Sequence, residues 1–198
     1  MSEALPEVYL ARHGETAWTV ANRHTGRTDL PLTERGERNA ANLRDRLRGL
    51  TFTRVLVSPL GRARRTCELA GFVGVAEEVP DLTEWDYGAY EGRRTAEVRV
   101  ERPGWYLFRD GCPGGESVAD VGDRADRVIA RLREAGGRTL LFGHGHFFRV
   151  LAARWVGLPP GDARHLLLNT ASLSILTYEH TLDDPAVRLW NDDRHVAP

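Results

Sequence analysis

Three short, uninterrupted apolar runs limit what this chain can fold into. They are Val8-Tyr9-Leu10-Ala11, Val55-Leu56-Val57 and Leu140-Leu141-Phe142. None alternates with polar residues. A strand with one wet face does alternate, so an unbroken run predicts a strand buried on both faces, as in a parallel sheet covered by helices. A helical pattern comes after each run. Leu32 to Leu50 carries Ala40, Leu43 and Leu47 between Arg-rich faces, and Leu60 to Ala70 is a shorter candidate. Phe147 to Val156 is another, closed by Gly157 and Pro159. The clearest helix is Ser117 to Ala135. Ser117 and Asp120 form a capping pair ahead of one apolar stripe, Val118, Val121, Ala125, Val128, Ile129 and Leu132, and Gly136-Gly137 ends it. Late strands are expected at Ser172 to Tyr178 and Val187 to Trp190. Interleaved strands and helices predict an α/β fold of three layers, α/β/α, around a central mostly parallel sheet. No repeat, low-complexity tract or linker interrupts the 198 residues, so a single domain over 1–198 is expected.

Composition removes several classes of function. The chain is 41% hydrophobic, enough for a sizeable core, and its formal net charge is −1. No global field favours nucleic acid or an anionic membrane, so neither is expected as a partner. All 27 basic residues are Arg, so no mechanism can use Lys. Cys67 and Cys112 fit no zinc spacing and no disulfide framework, and reduced thiols are expected. Met1 to Glu7 lacks a basic region followed by an apolar run, and no apolar stretch is long enough to span a bilayer. A cytoplasmic location is the expectation.

The residues just beyond each buried strand carry the chemistry. The first run leads into Arg12-His13-Gly14-Glu15, the second into Ser58-Pro59-Leu60-Gly61-Arg62, the third into Gly143-His144-Gly145-His146. In open α/β sheets ligands bind at the carboxyl ends of strands. Arg12, His13, Arg62 and His144 are therefore expected at one sheet edge. Two Arg and two His make an anion site, because guanidinium groups match phosphate oxygens. Arg62 falls in the first turn of its helix, where free amides and the dipole also favour an anion. Positive neighbours bias a histidine toward its neutral, nucleophilic form. Glycines beside both histidines permit close backbone approach.

Four ordered motifs resemble the histidine phosphatase superfamily, also called phosphoglycerate mutase-like, over nearly the whole chain. Ala11-Arg12-His13-Gly14-Glu15-Thr16 resembles its signature. Arg23 to Gly36, with Thr25-Gly26, Asp29 and Pro31-Leu32-Thr33, resembles the family's segment immediately after that signature. Ser58-Pro59-Leu60-Gly61-Arg62-Ala63 with Thr66 is similar to the second-arginine motif. Leu82-Thr83-Glu84-Trp85-Asp86-Tyr87-Gly88 is similar to the acid motif, and Gly143-His144-Gly145 to the second-histidine motif. The resemblance implies a phosphoglycerate mutase-like fold. It also implies a phosphohistidine on His13, with Arg12, Arg62 and His144 holding the phosphoryl oxygens and Glu84 as acid and base. Thr19, Thr25, Gly26, Tyr87 and Gly145 are implied as further substrate contacts. Thr19 stands where many members have Asn, which puts its donor role in question. No metal or cofactor is implied.

Finer segments resemble a subgroup with fungal sedoheptulose-bisphosphatase and mycobacterial acid phosphatases. They are Glu84 to Gly92, Arg109 to Ser117 and Gly143 to His146. A small phosphorylated metabolite, a sugar phosphate or bisphosphate, is the expected substrate, and homo-oligomerisation is left open. Mutase-type transfer is the competing activity; the compact chain and the absence of Lys, which mutases use on the glycerate end, argue for hydrolysis. Arg93-Arg94 could supply part of that grip. His144 and His146 as metal ligands is a second alternative, but no Asp or Glu at ligand spacing accompanies them. A non-catalytic phosphate-binding domain is a third, and retention of both His13 and Glu84 argues against it. The parts played by His146, Arg93 and Cys112 stay open.

Overall fold

The computed structural model describes residues 5–196. In chain order the elements are β1 (Glu7–Arg12), α1 (Ala17–Val20), α2 (Glu34–Leu47), β2 (Arg54–Val57), α3 (Gly61–Leu69), β3 (Glu77–Glu78), α4 (Thr95–Glu101), α5 (Leu107–Asp110), α6 (Val118–Ala135), β4 (Arg138–Gly143), α7 (Gly145–Trp155), β5 (Leu173–Tyr178) and β6 (Pro185–Asp192). The strands form one sheet in the order β3-β2-β4-β1-β5-β6. Pairings β3–β2, β2–β4 and β4–β1 are parallel, while β5 and β6 add antiparallel at one side.

The unbroken apolar runs are the three neighbouring strands β2, β4 and β1, and their pleat explains them. Val8 and Leu10 of β1, Leu56 of β2 and Leu141 of β4 point to one face and pack with Val121, Ala125, Val128 and Leu132 of α6 and the apolar side of α7. Tyr9, Ala11, Val55, Val57, Leu140 and Phe142 point to the other, against Leu43 and Leu47 of α2 and Ala63 and Cys67 of α3. Side chains alternate across a strand, so covering both faces demands an apolar residue at every position.

Helix boundaries obey local chemistry. The helix expected from Leu32 begins at Glu34. Leu32 instead bridges to Thr16, and Thr33 caps the helix by accepting from the Gly36 amide at 2.9 Å. Ser117 and Asp120 make the reciprocal cap expected of them at α6. Three features carry neither an apolar run nor a helical stripe in the sequence. They are the two-residue edge strand Glu77–Glu78, both residues exposed, and the short helices α4 and α5.

Candidate active site

The floor of the site is set by backbone pairing. Arg12, the last residue of β1, registers with Gly143 at the end of β4, and the His13 amide donates to the Gly143 carbonyl at 2.9 Å. His13 and His144 therefore leave the sheet side by side, with ring centroids 5.2 Å apart. β2 continues the pattern: the Ser58 amide donates to the Phe142 carbonyl at 3.0 Å, and its hydroxyl lies 2.7 Å from His144 Nε2.

His13 is almost wholly buried, and its Nδ1 lies 2.7 Å from the Gly14 carbonyl. A carbonyl only accepts, so Nδ1 carries the hydrogen. In the neutral ring the lone pair is then on Nε2. Burial, followed by the charges of Arg62 and Arg12, holds His13 well below its ordinary value. Burial does the same to His144, with Arg62 as the next contribution. Gly14 can carry no side chain, because a Cβ there would meet the Gly36 carbonyl oxygen at 2.5 Å.

The two arginines are anchored by carbonyls. Arg62, in the first turn of α3, donates to Thr28 at 3.0 Å, Thr25 at 3.1 Å and Gly26 at 2.8 Å. That loop is pinned in turn by Glu91, which accepts from the Gly26 and Thr28 amides. Arg12 donates to the Leu168 carbonyl and lies against Gly145, where a Cβ would come within 3.0 Å of its Cζ. The Nε atoms of Arg12 and Arg62 and Nδ1 of His144 are buried without a hydrogen-bond partner among the described residues. Two guanidinium N–H donors left unmatched beside an open imidazole nitrogen suit an acceptor-rich ligand.

Glu84 sits at the start of α7. Its Oε1 accepts from the amides of Trp85 at 2.9 Å and Phe147 at 2.8 Å, and its Oε2 from the amide of His146 at 3.0 Å. The carboxylate thus takes the place of a side-chain cap on a helix whose N-terminal residue, His144, makes none. Oε1 accepts from two amides and Oε2 from one, so Oε2 keeps the less engaged lone pairs.

A cavity of about 560 Å³ opens above this floor. Arg12, His13, Glu84, Tyr87 and Gly145 line it, as do Thr19 and Thr25. Arg62, His144 and Gly26 do not; they stand behind the surface, where Arg62 acts on His13 through its charge and His144 packs its ring against that of His13. Among the described residues, no group of three or more His, Cys, Asp or Glu side chains could hold a metal ion.

The residues from 8 to 193 match the model of the histidine phosphatase superfamily, branch 1. The chain belongs to that superfamily. It is 44% identical over 183 residues to an acid phosphatase of Mycobacterium tuberculosis, covering 90% of this chain and 89% of the relative. A probable phosphoglycerate mutase of Salmonella choleraesuis is 36% identical over 185 residues, with 88% and 86% covered. Among solved structures, the product of a Mycobacterium tuberculosis open reading frame superposes with a TM-score of 0.88 at 37% identity, covering 94% of this chain and 97% of that one.

Within this histidine phosphatase, several residues take places the sequence did not reveal. Thr19 lines the cavity, but its hydroxyl is committed to α1, donating to the Thr16 carbonyl at 2.8 Å and accepting from the Thr16 amide at 2.9 Å. His146 donates its amide to Glu84, and its ring Nδ1 bonds the Tyr87 hydroxyl. Arg93 pairs with Glu101 away from the cavity. Cys112 is buried, and burial pushes its thiol up to about 12. Sequence reasoning missed His24 and Arg149, both in the cavity wall. His24 stacks on Tyr87 at 4.8 Å, and burial pulls it down to about 4. Arg149 lies on α7 with Cζ 4.4 Å from the centre of the Phe108 ring. Its place one helical turn beyond Gly145 was the available signal. His24 stands in a loop without pattern.

Proposed function

We propose that this protein is a phosphatase that hydrolyses small phosphomonoesters through a phosphohistidine on His13, with Glu84 as general acid and base. The observation that carries this reading is the pairing of His13 and Glu84 across one cavity. The tautomer lock on Nδ1 leaves the Nε2 lone pair of His13 available, and Glu84 Oε2 stands ready to exchange a proton.

In this reading the Nε2 lone pair attacks phosphorus and the bond from phosphorus to the ester oxygen breaks. The proton of Glu84 goes to the leaving oxygen. Water then attacks the phosphohistidine, its proton passes to Glu84, and the P–N bond breaks to release inorganic phosphate and neutral imidazole. Arg12 and Arg62 supply donors and positive charge for the phosphoryl group, and His144 a neutral hydrogen-bonding ring beside His13, which is where such transfers need help. No step calls on a metal or a cofactor.

The rest of the cavity suits a sugar phosphate. His24, Tyr87, Asn22, Asn169 and Thr170 offer uncharged hydrogen-bonding groups, and Arg23 and Arg149 could meet a second anion. Rapid quench after brief exposure to a labelled phosphomonoester tests the chemistry. The expected result is an acid-labile phosphoprotein that His13→Ala abolishes; label persisting in that variant overturns the assignment. Offering 3-phosphoglycerate as acceptor separates the activities, since transfer in place of phosphate release would support the mutase reading.

A further inference from the structure

Behind Glu84, outside the cavity, lies a charged group the reaction scheme does not use. Arg124 is on α6 and is buried. All five of its N–H donors are engaged. Nε and one Nη2 hydrogen bond the two oxygens of Glu116, each at 2.9 Å. Nη1 donates to the carbonyls of Asp81 at 2.9 Å and Thr83 at 2.6 Å, and Nη2 reaches the carbonyl of Glu84 itself at 3.4 Å. Glu116 closes the frame from the other end. Its Oε2 accepts from the Asp86 amide at 2.8 Å, its own amide donates to the Asp86 carbonyl at 2.9 Å, and its carbonyl accepts from the Trp85 indole at 3.0 Å. The Arg124 Cζ also lies 4.5 Å from the centre of the Phe147 ring, and the Phe147 amide is one of the three that hold the Glu84 carboxylate.

We infer that Arg124, held by Glu116, is the positioning residue for the general acid, fixing the backbone of residues 81–86 against the first turn of α7. It grips both structures that determine where the Glu84 carboxyl stands: the loop that carries it and the helix end that binds it. Two of the bonds are a fork onto one carboxylate and the others diverge to carbonyls, a geometry only a planar guanidinium provides. Arg124 is buried and Glu116 partly so, and a desolvated charge pair contributes little net stability compared with an apolar substitute, so the place of this one points to registration of the segment it grips. Reaction rates fall steeply when a catalytic group is displaced by about 1 Å.

The inference rests on Glu84 being the acid proposed above, and one experiment separates the two. The single-turnover rate of leaving-group release is measured for 4-nitrophenyl phosphate, whose leaving group needs no proton, and for an alkyl phosphate, whose leaving group does. The enzymes are wild type, Glu84→Gln, Arg124→Lys, Arg124→Met and Glu84→Gln with Arg124→Lys. Arg124→Lys is expected to slow the alkyl ester roughly tenfold or more and the aryl ester by less than about threefold, and to add little to Glu84→Gln. Arg124→Met should do the same more strongly; if it does not fold, the lysine variant decides. Equal slowing of both esters by Arg124→Lys, or a full additional factor in the double variant, overturns the inference. If Glu84→Gln itself slows both esters equally, the acid role is lost and the inference with it. A leaving-group effect in Glu84→Gln that is missing in Arg124→Lys overturns the inference alone.

Discussion

His13 owes its reactivity to neighbours that do different things. Gly14 fixes which nitrogen holds the hydrogen, and burial with two guanidinium groups favours the neutral ring. A group held below its ordinary value near 6.5 stays unprotonated as pH falls past that point. The limb of kcat/KM assigned to His13 should therefore lie on the acid side of 6.5, falling only at lower pH, which a pH profile with a fixed aryl phosphate will read. Gly145 offers a second residue-scale prediction. Its Cβ would meet the Arg12 guanidinium at 3.0 Å, and among the described residues the Arg12 side chain is hydrogen-bonded only to the Leu168 carbonyl. Gly145→Ala should lower kcat/KM by roughly tenfold or more through misplacement of that donor, with unfolding free energy nearly unchanged. Steady-state kinetics beside urea unfolding will check both halves.

At the scale of elements, Glu84 serves a helix as well as a reaction. Replacing it with Ala leaves the amides of Trp85, His146 and Phe147 without their acceptor at the start of α7. The expected cost is about 1–3 kcal/mol of stability, and Glu84→Gln, which keeps one acceptor oxygen, should cost less. Thermal unfolding of the two variants measures the difference. This double service also explains the limits of the sequence. The runs around Leu10, Leu56 and Leu141 were readable because burial on both faces removes polar residues from every position. The pattern of Ser117 and Asp120 was readable because a cap is a local interaction. Glu77 and Glu78 pair only through their backbone at the sheet edge, so nothing in their side chains announces a strand. The role of Glu84 at α7 joins residues far apart in the chain, and no spacing encodes it; the resemblance supplied Glu84, and the geometry supplied the reason for its fixed orientation. Thr19 reads as a donor toward phosphate until its partner in the cap is seen.

For the molecule as a whole, imidazoles held neutral in the folded chain contribute to the response to acid. His13, His24, His144 and His146 all lie below their ordinary value, chiefly through burial. A depressed folded-state value means the unfolded chain binds more protons in the interval, so stability is full above about 6.5 and is lost as pH falls through the folded value. His24, brought down to about 4, accounts alone for about 3 kcal/mol over that window. The midpoint of thermal unfolding should drop steadily from pH 7 to pH 4, and His24→Gln should flatten part of that slope. A pH-independent midpoint would contradict the neutral burial of these rings. The sheet order adds a consequence of another kind. His13 and His144 are far apart in the sequence and meet through the ladder between β1 and β4. No early folding species that lacks this ladder can present both histidines to phosphate. Recovery of phosphate binding during refolding should therefore time the zipping of β1 onto β4, and phosphate should slow unfolding without hastening the steps that precede it.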